Sequence, residues 1–264
     1  MTRIVGILNV TPDSFSDGGR WQNPDDAIAH AVAMREQGAA LVDVGGESTR
    51  PGATPVDPVE EQRRVIPIVR ALADRSIPIS IDTKNAPTAL AAVEAGAEVV
   101  NDVSGGLFDA GMGRVVAETG VTFIAMHWRG GADIAPQYID VVSEVRNELR
   151  SRIAELIVAG VDPGQIVIDP GLGFAKDSEH NWQLLSRLGE LASLGHSILI
   201  GASRKRFLGP LLAEGAPVAD RDLPTSIVSA LAARAGVWGV RVHDVTSTRV
   251  ALDVVGAWDA GAHV

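Results

Sequence analysis

The 264-residue chain carries 23 Lys and Arg against 33 Asp and Glu, a formal net charge of −10. With a pI near 5.0 it repels nucleic acid and anionic membrane surfaces as principal partners, so an anionic substrate must be drawn by a local basic cluster. Hydrophobic residues make up 46% and cysteine is absent, which supports a large core and excludes disulfides, thiolate metal sites and a cysteine nucleophile.

Met1, Thr2 and Arg3 lead straight into a short apolar run, too short for a signal peptide, and no later run is long enough for a bilayer span. The expected compartment is the cytoplasm. The run 4–8 is a predicted strand that ends at Asn9 and opens a Gly-, Ser- and Asp-rich loop. Pro24, with Asn23 as N-cap and Asp25 and Asp26 in the first turn, predicts a helix over 24–37 that Gly38 stops. A second strand over 41–44 leads into a polar loop, and Asp57-Pro58 starts the next helix. Strands follow at 78–81, ending at Asp82, at 98–100, ending at Asn101-Asp102, and at 121–126, ending at His127. Helices over 87–95 and 111–119 separate them, and the longest helix is expected over 138–159. The apolar run 166–168 then delivers Asp169 and turns through Pro170-Gly171. A helix over 179–194, a strand over 197–201 and the cations Arg204, Lys205 and Arg206 come next. A helix opened by Pro224, a last strand over 237–242 and a helix reaching near Trp258 complete the pattern.

Eight strands each followed by a helical segment, with no linker or composition break, predict an α/β fold, a (β/α)8 TIM barrel in one domain over 1–264. A doubly wound open sheet is the alternative. In such a barrel the site lies at the C-terminal strand ends. Those ends read Asn9, Glu47 with Arg50, Asp82, Asn101, His127, Asp169, Lys205, and Arg241 with His243. Turn capping needs only short polar side chains, so Lys and Arg in this ring call for another reason. Asp82, Asn101 and Asp169 suit the donor and acceptor edge of a flat nitrogen heterocycle; a carboxylate accepts two parallel N–H groups. Each can also be read as a helix cap or turn residue, and Asp169 by itself fits a turn as well as a pocket. Arg50, Arg241 and His243 suit phosphate oxygens, against the alternative of salt bridges to Glu47 or Asp244. Of the three adjacent cations one is expected to reach inward. Asn9 offers an amide oxygen for a weakly held Mg2+. His127 reads as a hydrogen-bonded structural residue. No Ser-His-Asp set, zinc motif, P-loop or GxGxxG is present.

Eight motifs in order, ILNVTPDSFSDGG from Ile7, GGESTRPG from Gly45, SIDT from Ser80, NDVSGG from Asn101, MH at Met126, DPGLGF from Asp169, ASRKRF from Ala202 and RVHDV from Arg241, together resemble dihydropteroate synthase over almost the whole chain. The resemblance implies a homodimer. It also implies condensation of 6-hydroxymethyl-7,8-dihydropterin diphosphate with p-aminobenzoate, the substrate that sulfonamides mimic, to give 7,8-dihydropteroate and diphosphate. Asp82, Asn101, Asp169 and Lys205 would hold the pterin. Asn9, Arg50, Arg241 and His243 would hold the diphosphate, with Mg2+ at Asn9. The loops carrying Asp13 and Phe15, and Thr49 to Gly52, would close over the site. Phe15, Pro51, Phe174 and Lys205 would shape the aminobenzoate pocket. Arg206 stands where a polar group near the aminobenzoate carboxylate is expected. Residues 128–137 carry no nameable motif, and no function is read from them. A pterin-dependent methyltransferase domain and a catalytically silent pterin-binding paralogue are the rival readings.

Overall fold

The computed structural model describes residues 2–10, 24–47, 56–130, 135 and 137–261. Strands β1 (Arg3–Asn9), β2 (Leu41–Gly45), β3 (Ile79–Asp82), β4 (Val99–Asp102), β5 (Thr122–Met126), β6 (Ile166–Asp169), β7 (Ser197–Ile200) and β8 (Gly239–Val242) pair in parallel in chain order. β8 then pairs with β1 and closes the barrel, so the open-sheet alternative falls away. Helices α1 (Pro24–Glu36), α2 (Pro58–Ala73), α3 (Ala86–Glu94), α4 (Met112–Thr119), α5 (Val141–Val158), α6 (Ser178–Ser186), α7 (Leu188–Ala192), α8 (Asp222–Arg234) and α9 (Val245–Gly261) lie between and after the strands.

The strands are apolar on both faces because helices cover the outside and side chains fill the inside. The larger core lies between strands and helices and includes Phe123, Ile79, Ile81, Ile168, Met34, Leu72 and Leu156. A second cluster, Val5, Leu41, Val99, Ile124, Val167 and Leu199, fills the barrel interior. Because side chains alternate along a strand, the residue two positions further on also points inward. From those plug residues this step reaches Ile7, Asp43, Asn101, Met126, Asp169 and Gly201. The chemistry therefore stands directly on an apolar floor. At the mouth, Asn9 is in register with Gly45, Gly45 with Asp82, and Asp82 with Asn101.

Helix starts follow their caps. Asp57 accepts a hydrogen bond from the Val59 N–H with Pro58 in the first turn, and Asp140 accepts from Val142 and Ser143. The latter cap moves the start of the longest helix from 138 to Val141. The proposed cap Asn23 lies outside the described residues. The single helix predicted over 179–194 is two helices, broken at Arg187, whose φ of −119° and ψ of 32° are not helical. Arg187 pairs there with Glu190, 2.5 Å from its Nε, and with Asp140, the N-cap of α5, 3.4 Å from its Nη1. The last strand begins at Gly239 rather than at 237.

Candidate active site

Among the described site residues, Arg241 rises from β8 into the mouth. Its Nε donates to Asp43 Oδ2 at 2.6 Å, and its Nη2 donates to Asp82 Oδ2 at 2.6 Å. Asn101 Nδ2 donates to the same Asp43 oxygen at 3.1 Å. Asp43 is completely buried and Asp82 nearly so, whereas the Arg241 side chain keeps 21% of its surface, enough to meet a ligand. Burial opposes the guanidinium charge, but the two carboxylates outweigh it and hold its pKa above the ordinary arginine value. Burial pushes Asp82 up to about 7 against the pull of Arg241, with Asp43 adding repulsion.

Glu47 and Asp244, the acids offered from sequence to the set Arg50, Arg241 and His243, are not the ion-pair partners of Arg241. Glu47 is taken by Lys84 at 2.9 Å. Asp82, likewise, is a partner of Arg241 and not simply a cap for the helix after it. The heterocycle set and the phosphate set therefore share one ion-pair network. Asp43 is the functional candidate that sequence reasoning passed over. Its signal was a charge inside an otherwise apolar strand, on the same face as the plug residue Leu41.

Asp169 combines both readings made of it. Oδ1 accepts from the Gly171 N–H at 2.7 Å, an Asx turn, while Oδ2 lies towards Gly201, 3.5 Å from where a β-carbon there would stand. Burial raises its pKa, opposed first by Lys205. Of the three adjacent cations, Arg204 is tied to Asp222 at 2.7 Å and Arg206 is exposed. Lys205 turns inward, donates to the Leu172 carbonyl and sits 5.0 Å above the Phe174 ring. Burial pulls its pKa down to about 8, partly offset by Asp169.

His243 meets Ser203, Nδ1 to Oγ at 2.8 Å, at the ends of β8 and β7. His127 does not belong to the ring: it bonds Lys176 and Glu148 beside the barrel. Phe15, Thr49, Arg50 and Pro51 lie outside the described residues.

Asn9 is half-buried at the end of β1, with Oδ1 3.8 Å from a β-carbon built on Gly45. Among the described residues no group of three or more His, Asp or Glu would hold a metal. One neutral oxygen fits Mg2+ only if phosphate and water supply its other ligands.

A family model for pterin binding enzymes matches residues 5–243. The dihydropteroate synthase of Mycobacterium leprae is 56% identical over 264 residues, covering 97% of this chain and 93% of its own. That of Escherichia coli is 42% identical over 258 residues, with 96% and 90% covered. The chain belongs to the dihydropteroate synthase family. Among solved structures, the Xanthomonas albilineans dihydropteroate synthase with 4-aminobenzoic acid superposes with a TM-score of 0.91 at 43% identity, covering 100% of this chain and 94% of that one. The Yersinia pestis dihydropteroate synthase in a sulfonamide drug complex gives 0.93 at 39% identity, with 98% and 94% covered.

Replacing Asp43 by Ala leaves Arg241 and Asn101 short of a buried acceptor. The expected loss is about 3 kcal/mol of unfolding free energy, read by urea denaturation. Turnover is expected to fall together with it; a variant of parental stability would show that Asp43 carries none of the network.

Proposed function

We infer that this protein is a dihydropteroate synthase, a transferase of folate biosynthesis. It joins the dihydropterin methyl group to the amine of p-aminobenzoate and releases diphosphate. The observation that carries the assignment of roles is the joined network at the mouth, two carboxylates braced by Arg241 with Asp169 and Lys205 beside them. In this reading Asp82, Asn101, Asp169 and Lys205 hold the pterin, and Asp169 Oδ2 accepts from its guanidine-like edge. Arg241 offers its exposed edge to the diphosphate, with His243, Asn9 and Arg50. Phe174 and Lys205, with Phe15, Thr49 and Pro51, shape the aminobenzoate pocket. Mg2+ at Asn9, when bound, neutralises charge on the leaving diphosphate.

The amine is a weak nucleophile, so the C–O bond to diphosphate breaks ahead of attack in an SN1-like path. Positive charge then grows on the pterin. Burial raises the pKa values of Asp82 and Asp169, and Arg241 and Lys205 offset only part of that rise. A cation arriving beside them relieves that cost, so they favour the transition state over the ground state. No covalent enzyme intermediate is required. The methyltransferase reading leaves Arg241 and His243 without a diphosphate to hold, and the silent-paralogue reading predicts binding without turnover.

We assign the homodimer to α8 and α9, which pack against each other. Leu223, Ile227 and Leu231 on α8 and Val250, Val254 and Trp258 on α9 recur every four residues and are each more than half exposed. Two such stripes side by side form an apolar patch that suits a second copy. The cytoplasm is the proposed compartment, since a pterin diphosphate does not cross a bilayer unaided.

Purified protein with Mg2+ and the dihydropterin diphosphate is expected to release diphosphate only when p-aminobenzoate is added, and a sulfonamide is expected to compete with that substrate. Asp169→Asn should lower kcat/KM about 100-fold, as for loss of a charge-assisted contact. Binding without turnover in the parent protein would instead support the silent paralogue. Pterin affinity should be full where Asp169 and Asp82 are ionised and fall as pH drops through their raised pKa values, about 7 for Asp82. Calorimetry with 6-hydroxymethylpterin between about pH 8 and about pH 5 reads this, and an affinity that stays constant over that range would contradict it. The doubly charged variant Ile227→Arg with Val254→Arg should sediment as a monomer; an unchanged dimer would place the interface elsewhere.

A further inference from the structure

Lys176 ends the motif DPGLGFAK, and none of the roles above uses it. It is 8% exposed, and burying an ammonium is costly unless acceptors surround it. Three do. Nζ lies 3.0 Å from His127 Nδ1, 3.1 Å from the Gly171 carbonyl and 3.1 Å from the Phe174 carbonyl. The chain winds around this group through left-handed residues, Gly171 at φ 69°, Gly173 at 76° and the non-glycine Ala175 at 46°. A β-carbon on Gly171 would stand 2.3 Å from the His127 carbonyl oxygen, so this turn lies directly on the end of β5.

The acceptor His127 is itself fixed. Because Nδ1 accepts, Nε2 carries the proton and donates to Glu148 Oε2 at 2.9 Å. Burial lowers the His127 pKa to about 4, which keeps the ring neutral. Arg129 donates through Nε to the same Glu148 oxygen at 3.0 Å and stacks 4.0 Å from the Tyr138 ring. A chain of contacts thus runs from α5 through β5 to the carbonyls of the loop after β6. The opposite side of that loop meets Lys205, which takes the Leu172 carbonyl. Successive carbonyls are therefore held by two lysines, one outside the site and one in it.

We propose that Lys176 is a positioning residue for the aminobenzoate pocket: from outside the site it fixes the 171–175 turn, and so sets the Phe174 ring against Lys205. A hydrophobic side chain would fill the same space without gripping two carbonyls. The inference rests on the reading that Phe174 lines that pocket.

The test is steady-state kinetics of Lys176→Met, Phe174→Leu and the double variant. Lys176→Met is expected to raise KM for p-aminobenzoate about tenfold, with KM for the dihydropterin diphosphate changed less than about threefold. Phe174→Leu should raise the same KM, and the double variant should add little to it, because one residue acts through the other. Equal changes in both KM values, or full additivity, would make Lys176 merely structural and overturn the inference. A Phe174→Leu variant with parental KM would overturn the reading of Phe174, and this inference with it. If Lys176→Met does not fold, His127→Phe removes one acceptor and keeps a ring; it must show the same selective rise, and an unchanged KM overturns the inference.

Discussion

The contact of Arg241 with Asp43 and Asp82 is the constraint around which the mouth of this barrel is built. A guanidinium buried above an apolar plug is tolerable only with carboxylates at hydrogen-bond distance, and two stand 2.6 Å away. The dependence runs the other way too. Asp43 and Asp82 repel each other and Arg241 lowers that cost, while Lys205 opposes the cost of burying Asp169. The network is held from strands β2, β3, β4, β6 and β8, or just beyond a strand end in the case of Lys205. Its dipoles and charges are in place before substrate arrives, which is what electrostatic stabilisation of a developing cation requires.

Strand alternation explains why the site is where it is. Plug residues such as Leu41, Val99 and Val167 close the barrel floor, and the next inward positions carry Asp43, Asn101 and Asp169. One step of two residues separates hydrophobic core from chemistry. That spacing keeps the reacting groups over a dry surface, where each charge counts for more than in water.

Most of the fold was legible because β/α alternation is a repeated local pattern, and the strand ends could be read as a ring. The parts that were not legible depend on contacts distant in sequence. Arg187, where the helix expected over 179–194 breaks, bonds both Glu190 and Asp140, the N-cap of α5. Asp43 was read as part of an apolar strand; only the parity it shares with Leu41 betrays that it points into the barrel. Glu47 is one of the acids that the sequence offers to the Arg50, Arg241 and His243 set, yet Lys84 on the neighbouring connection takes it. The motif resemblance named the acids and cations one by one. That Asp82 and Arg241 form one unit follows only from the register that brings β2, β3 and β8 together.

The central claim is that one braced network serves two halves of a single substrate. Calorimetric titration of 6-hydroxymethylpterin and, separately, of inorganic diphosphate with Mg2+ tests it most directly, on the parent protein, Asp169→Asn and Arg241→Ala. The account predicts that Asp169→Asn loses pterin binding and keeps diphosphate, while Arg241→Ala weakens diphosphate more than pterin. Equal loss of both ligands in both variants would contradict the division of roles across the mouth.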